Sequence, residues 1–156
     1  MNRLEHVRKT VDSLLCRQLD ENERRCGFVH LYGVSAICAL LANRRGLDVE
    51  LCATAGMLHD LSSYETGDST DHAQRSASRA KELLTEAGDF LSNEISAITQ
   101  AISTHSAKDQ VDDPVAELLK DADVLQYYLY NPSLKDGWET NARLKALFSE
   151  LGLLGS

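Results

Sequence analysis

Five histidines occur in this chain, and four of them stand at spacings that could converge on one carboxylate. The focus is Gly56-Met57-Leu58-His59-Asp60-Leu61, a small apolar run that ends in an imidazole beside an aspartate. His30 lies upstream in Phe28-Val29-His30-Leu31-Tyr32-Gly33. His72 lies downstream in Asp71-His72-Ala73, and His105 follows in Ser103-Thr104-His105-Ser106. A further carboxylate comes from Lys120-Asp121-Ala122-Asp123-Val124-Leu125, and only His6 is left out. Imidazole nitrogens combined with carboxylate oxygens suit borderline divalent ions such as Mn, Fe, Co, Ni and Zn. A single histidine on an apolar face is more often a packed core residue. Four near helix ends, one of them abutting an aspartate, argue instead for a metal site.

The elements that must position these groups are helical. Only two prolines, few aromatics and long 3.6-period stretches point to an all-α fold. The pattern predicts a first helix over about Leu4 to Leu19, with Leu4, Val7, Val11, Leu14 and Leu15 on one stripe. A second runs from about Glu23 to Arg45 and stops at Gly46, with Leu31, Val34, Cys38 and Leu41 buried and His30 near its start. Asp48 caps a third, Val49 to about Asp60. Gly56 inside it costs about 1 kcal/mol relative to alanine, so a neighbouring backbone is expected to approach closely there. Leu61 to Thr70 reads as a polar loop turning at Gly67. Asp71 is expected to cap a fourth helix in a capping box with Gln74, placing His72 in the first turn and Gly88 at the far end. Ser92 caps a fifth, whose Ile95, Ile98 and Ile102 lead to His105. Ser106 to Asp112 is a loop, and Asp113-Pro114 starts a sixth helix that ends by Asn131-Pro132. A last amphipathic helix covers about Trp138 to Leu151, followed by a frayed tail from Gly152 to Ser156.

With 156 residues and 43% hydrophobic content the chain reads as one domain with a real core, bundling six to seven helices. No linker or repeat divides it. No run approaches the roughly 18 apolar residues that span a membrane, and Met1 to Thr10 lacks the apolar stretch of a signal peptide. The expected location is the cytoplasm. A net charge of −8 without a segregated basic face repels a nucleic-acid polymer. It still allows a small phosphorylated compound where bound metal supplies local positive charge. Cys16, Cys26, Cys38 and Cys52 form no C-x-x-C pair and read as reduced, mostly buried thiols.

In order and context, His30, then His59-Asp60, then Asp123 resemble the HD-domain superfamily of metal-dependent phosphohydrolases, named for the adjacent histidine and aspartate. The resemblance covers about residues 25 to 130 and includes Met57-Leu58-His59-Asp60-Leu61 and Asp121 to Leu125. With His72 and His105 it is similar to the H…HD…H…H…D variant, which implies a dinuclear site. The resemblance implies an all-helical bundle and one or two divalent ions (Mn, Fe, Co, Ni, Zn or Mg). It also implies hydrolysis of a phosphate ester by a metal-activated water. His30, His59, Asp60 and Asp123 would hold the first ion, and Asp60 would bridge to a second held by His72 and His105. Helical periodicity alone leaves Asp121 and Asp123 equal, flanking the buried stripe Val115, Leu118, Leu119, Ala122, Gln126 and Leu129 on opposite sides. The family pattern favours Asp123.

On the substrate side, Lys108 lies three residues past His105. It could contact a phosphate or the departing oxygen, or simply be a solvated loop lysine. Arg75 and Arg79 share a helix face with His72 and offer phosphate contacts. Tyr64, Tyr127, Tyr128 and Tyr130 could wall a pocket or pack helix ends, and Ser62 and Ser63 could orient a phosphate or form a turn. The expected enzyme is a phosphomonoesterase or phosphodiesterase acting on a nucleotide or another small phosphorylated metabolite. The competing readings are a metal- and ligand-binding regulatory module with little turnover, or a di-iron oxygenase. Oligomeric state stays open.

Overall fold

A computed structural model describes residues 2–131 and 141–153. They form eight α-helices: α1 (Arg3–Leu15), α2 (Glu21–Arg45), α3 (Val49–Leu58), α4 (Leu61–Thr66), α5 (His72–Ala87), α6 (Ser92–Thr104), α7 (Pro114–Tyr130) and α8 (Ala142–Leu151). No strand occurs among the described residues.

The centre of the bundle is α3, packed against α1, α2, α6 and α7. Its residues Cys52 to Leu58 are all buried. A helix apolar on every side belongs in a core, and its small residues let the neighbours come close. An ideal Cβ on Gly56 would lie 2.9 Å from both the Cys38 Sγ and the Ser35 Cα of α2. The expected close approach is therefore real, and α2 supplies the approaching backbone. Ser35 Oγ adds a hydrogen bond of 2.9 Å to the Ala53 carbonyl.

Caps set most of the boundaries. Asp48 accepts from the Leu51 N–H at the start of α3. Asp113 accepts from Val115 and Ala116 before Pro114 in the first turn of α7. Gly46 and Gly88 close α2 and α5 in the left-handed region, at φ 68° and 70°. Two expectations fail. Asp71 forms no capping box: it sits at φ 46° with no side-chain cap, and Gln74 donates instead to the Ser103 carbonyl. Ser92 is the first helical residue of α6, and Leu91 takes the cap position, its N–H satisfied by the Glu94 carboxylate at 2.7 Å.

The stretch expected as a polar loop after Asp60 contains α4. One turn of Ser-Ser-Tyr is too short and too weak in propensity to register as a helix. Leu61 is nevertheless fully buried, and Thr66 bonds back to the Ser62 carbonyl. The first helix ends at Leu15 rather than Leu19, leaving Leu19 93% exposed. On α7 the expected stripe is buried at Leu118, Leu119, Ala122 and Gln126, while Leu129 is exposed. The last helix is capped by Asn141, and its expected start at Trp138 lies outside the described residues. Cys38 and Cys52 are buried, but Cys26 is half-buried and Cys16 exposed, so burial of the thiols is only partial. The apolar-run expectation also needs correcting. At 25 residues, with an 18-residue window of mean hydropathy 1.5, α2 is long and apolar enough to cross a membrane by those criteria alone. Here it is the long core helix against which α3 and α7 pack.

A charged seam fastens α7 to its surroundings. Lys120 is fully buried, and its ammonium donates to the Gln110 carbonyl, Asp112 and Glu117 at 2.8, 2.6 and 3.0 Å. Burial alone would raise the Glu117 carboxyl. The Asp112 N–H, Lys120 and Arg143 outweigh it and hold the group at about 2. Glu117 thus stabilises the fold above its ordinary value of 4.5, and the contribution disappears as pH falls toward about 2. In urea melts at stepped pH, the advantage of the wild type over Glu117→Gln should be full at pH 6 and shrink steadily below about 4.5. A second expectation concerns the α2–α3 contact. Gly56→Ala would gain about 1 kcal/mol in helix propensity, against roughly 1–3 kcal/mol of overpacking. Thermal denaturation should therefore show a lower midpoint, and an unchanged or higher one would contradict the tight contact.

Candidate metal centre

Helix ends deliver the chemistry. His59 closes α3, Asp60 breaks the chain at φ −117° before α4, His72 opens α5 and His105 closes α6. His30 comes from α2 and Asp123 from the middle of α7. The structure brings these six side chains together in two groups that share Asp60. His30, His59, Asp60 and Asp123 form one and Asp60, His72 and His105 the other, with the candidate ligand atoms of each group within 4.8 Å of one another.

Backbone and side-chain acceptors orient the rings. His59 Nδ1 lies 2.8 Å from the Gly56 carbonyl, and His105 Nδ1 lies 2.7 Å from the Ile102 carbonyl. His30 Nδ1 lies 2.7 Å from Gln126 Oε1. A carbonyl oxygen only accepts, so Nδ1 carries a proton in each of these rings, and Nε2 faces inward, where it would offer its lone pair once deprotonated. Those Nε2 atoms meet each other and the carboxylates. His30 and His59 are 3.1 Å apart. His30 is 3.3 Å from both Asp60 Oδ2 and Asp123 Oδ1, and His59 is 3.4 and 3.7 Å from the same two oxygens. On the other side, Asp60 Oδ1 faces His105 at 3.2 Å and His72 at 3.5 Å, yet it is buried with no hydrogen-bond partner.

A divalent cation fits this donor set. The orphaned Asp60 oxygen and the inward-facing Nε2 atoms converge where positive charge, as protons or as a cation, offsets the buried carboxylates. The electrostatics agree. Burial would lower the basicity of His59, but Asp60 and Asp123 push it up to about 10. Burial would raise both aspartates, yet the surrounding imidazoles hold Asp60 and Asp123 far below the usual carboxylate range. His105 moves the other way, because burial there outweighs its contact with Asp60.

Asp121 and Asp123 separate cleanly. Asp121 is clamped by Arg45 at 2.7 Å and Arg143 at 2.8 Å, joining α7 to α2 and α8, away from the histidines. Lys108 does reach the cluster. Its ammonium donates to Asp123 Oδ2 and to the His105 carbonyl, both at 2.6 Å, so it steadies a carboxylate of the cluster. Arg75 and Arg79, expected as phosphate contacts, are not brought there. Arg75 is engaged by Asp68 and Thr66, and Arg79 by Glu65 and Glu82. They line a separate cleft of about 490 Å³ between α4 and α5. The reason is α4 itself: read as a loop, it left that face of α5 open, whereas its Glu65 occupies it. Ser62 is buried, hydrogen-bonded to Ser76 and the His72 carbonyl, and so holds the start of α5 against α4. Gln126, which orients His30, is not identified as a site residue by residue type or spacing. Its signal was a lone amide on an otherwise apolar stripe of α7.

The family model for the HD domain matches residues 27–128. This chain belongs to the HD domain family, a family of metal-dependent hydrolases. A solved structure, a predicted HD superfamily hydrolase from an uncultured Thermotogales bacterium, superposes with a TM-score of 0.63. It is 18% identical, the match spanning 98% of this chain and 94% of that one, which shows a shared fold. A comparison with curated proteins returns no match.

The two neighbouring aspartates make a paired test. Asp123→Asn should lose metal, measured as equivalents per chain, with little change in the fold. Asp121→Asn should retain metal but cost about 2–3 kcal/mol in denaturant melts, because it leaves two arginines without their shared carboxylate.

Proposed function

We propose that this protein hydrolyses a phosphate ester of a nucleotide or another small phosphorylated metabolite, with water as the attacking group. The observation that carries this reading is the pair of ligand groups sharing Asp60, set beside open clefts. In this reading His30, His59, Asp60 and Asp123 hold one divalent ion, and Asp60, His72 and His105 hold a second. Such ions supply Lewis acidity toward a phosphoryl oxygen and lower the pKa of a coordinated water.

The chain's own groups do the rest. Gly56, Ile102 and Gln126 fix the ring orientations of His59, His105 and His30, which keeps the donor set preorganised. Lys108 restrains Asp123 by occupying one of its oxygens. It also places a cation beside the cluster, where negative charge builds on the departing oxygen. No serine or cysteine nucleophile is needed, and Cys26 is the only thiol lining the adjoining clefts among the described residues.

Protein purified without chelators should carry close to two equivalents of a transition metal per chain. It should hydrolyse members of a phosphoester panel once loaded with that metal. His59→Ala should drop metal content and reduce turnover by at least about a thousandfold, in line with loss of a central catalytic group. Helical circular dichroism should persist. Phosphatase activity surviving in that variant would place the chemistry elsewhere.

A further inference from the structure

Two clefts meet at the cluster, and they differ in chemistry. One, of about 380 Å³, is lined by Glu23, Cys26, Asp60, Ser63, Tyr64 and His72, among others. The second, of about 170 Å³, opens on the His30 side and is walled by Tyr64, Tyr127 and Tyr130, with Val29 and Gln126. Tyr64 and Cys26 line both. The first is within the size range of small-molecule sites, and the second is smaller, suited to one fragment of a ligand.

The aromatic cleft is unusual in what it leaves in water. Tyr127 and Tyr130 are 54% and 49% exposed, stand three residues apart on one face of α7, and flank a metal-ligating histidine. The Tyr64 ring lies 6.0 Å from the His30 ring, tilted by 53°, so it separates the two clefts while touching the cluster. Tyr130 is also tied to α2, its hydroxyl accepting from Arg25 at 3.4 Å on the outer rim. Flat rings stack on such surfaces, and the apolar bodies of tyrosines give them contact area.

Charge sets a second limit. Among the described residues, neither cleft is lined by a lysine or arginine, and Glu23 stands in the larger one. Lys108 is committed to Asp123. A phosphate at the cluster can be neutralised there, but a second or third phosphate reaching into the larger cleft would meet Glu23, with no lysine or arginine among that cleft's described lining residues.

We propose that the cleft between Tyr64, Tyr127 and Tyr130 is a ring-binding subsite, which makes a monophosphate ester bearing a flat ring system the preferred substrate class. This rests on the hydrolase reading. The reaction adds water across the ester: the water oxygen bonds to phosphorus, the phosphorus–ester-oxygen bond breaks, and the ester oxygen leaves as an alcohol with one of the water protons. Inorganic phosphate is the other product.

The test compares adenosine 5′-monophosphate, glycerol 2-phosphate and adenosine 5′-triphosphate on the metal-loaded protein. The monophosphate should give the highest kcat/KM of the three. In Tyr127→Ala and Tyr130→Ala its advantage over glycerol 2-phosphate should fall about tenfold, chiefly through KM, whereas the phenylalanine variants keep it. Both positions are exposed, and circular dichroism should confirm that the variants fold. A ratio unmoved by alanine would overturn the subsite, and a triphosphate turned over as well as the monophosphate would overturn the monophosphate preference. Equilibrium dialysis against adenosine separates the two claims. If no ester is hydrolysed yet adenosine binds the wild type and not the alanine variants, the hydrolase reading fails and the ring subsite stands. If adenosine does not bind either, the subsite fails whatever the hydrolysis result.

Discussion

Burying two carboxylates among four imidazoles imposes one constraint on this molecule: positive charge must be supplied at the point where they meet. Asp60 and Asp123 are each mostly shielded from water, and Asp60 Oδ1 has no hydrogen bond at all. Lys108 neutralises only the outer oxygen of Asp123. The remaining charge falls to the cluster itself, which is why Asp60 and Asp123 drive His59 toward its protonated form against the cost of its burial. A cation bound there would satisfy the same demand with the same atoms.

That demand can be met only if the donors are held still, and the surrounding helices provide the hold. The close contact of α3 with α2 at Gly56 sets where α3 ends and therefore where His59 stands. The Gly56 carbonyl then turns the His59 ring, so one residue acts twice: by lacking a side chain and by accepting a hydrogen bond. Gln126 performs the orienting role for His30 from α7, and Lys108 ties Asp123 to the end of α6. The Gly56 contact is local to the end of α3, but the Gln126 and Lys108 contacts join different parts of the bundle, so the cluster's geometry depends on helix packing as well.

The other ionic contacts do separate work. Arg45, Arg143, Asp121 and Glu150 lace α2, α7 and α8 together, and Lys120 locks the segment before α7 onto that helix. Arg143 also donates to the Lys108 carbonyl, which links this seam to the loop whose lysine reaches the cluster. Along α7 the polar side chains divide between the two tasks: Lys120 and Asp121 face the seam, Asp123 the cluster, and the Gln126 amide the ring of His30.

Much of this was legible in the chain itself. Periodicity and capping signals such as Asp48, Gly46 and Asp113-Pro114 act over a few residues, and they gave an all-helical bundle with most of its boundaries. The order of His30, His59-Asp60, His72, His105 and Asp123 pointed to metal chemistry because those residue types have few other reasons to recur near helix ends. Tertiary structure decided the rest. Helical periodicity left Asp121 and Asp123 equivalent; the positions of Arg45 and Arg143, brought by distant helices, sent one into a salt-bridge clamp and the other into the cluster. Arg75 and Arg79 share a helix with His72, but α4 and the turn after it engage them, Arg79 through Glu65 and Arg75 through Thr66 and Asp68. Local sequence determines which helices form and which groups they carry. Which neighbour each side chain meets depends on how those helices pack, because the contacts join residues far apart in the chain.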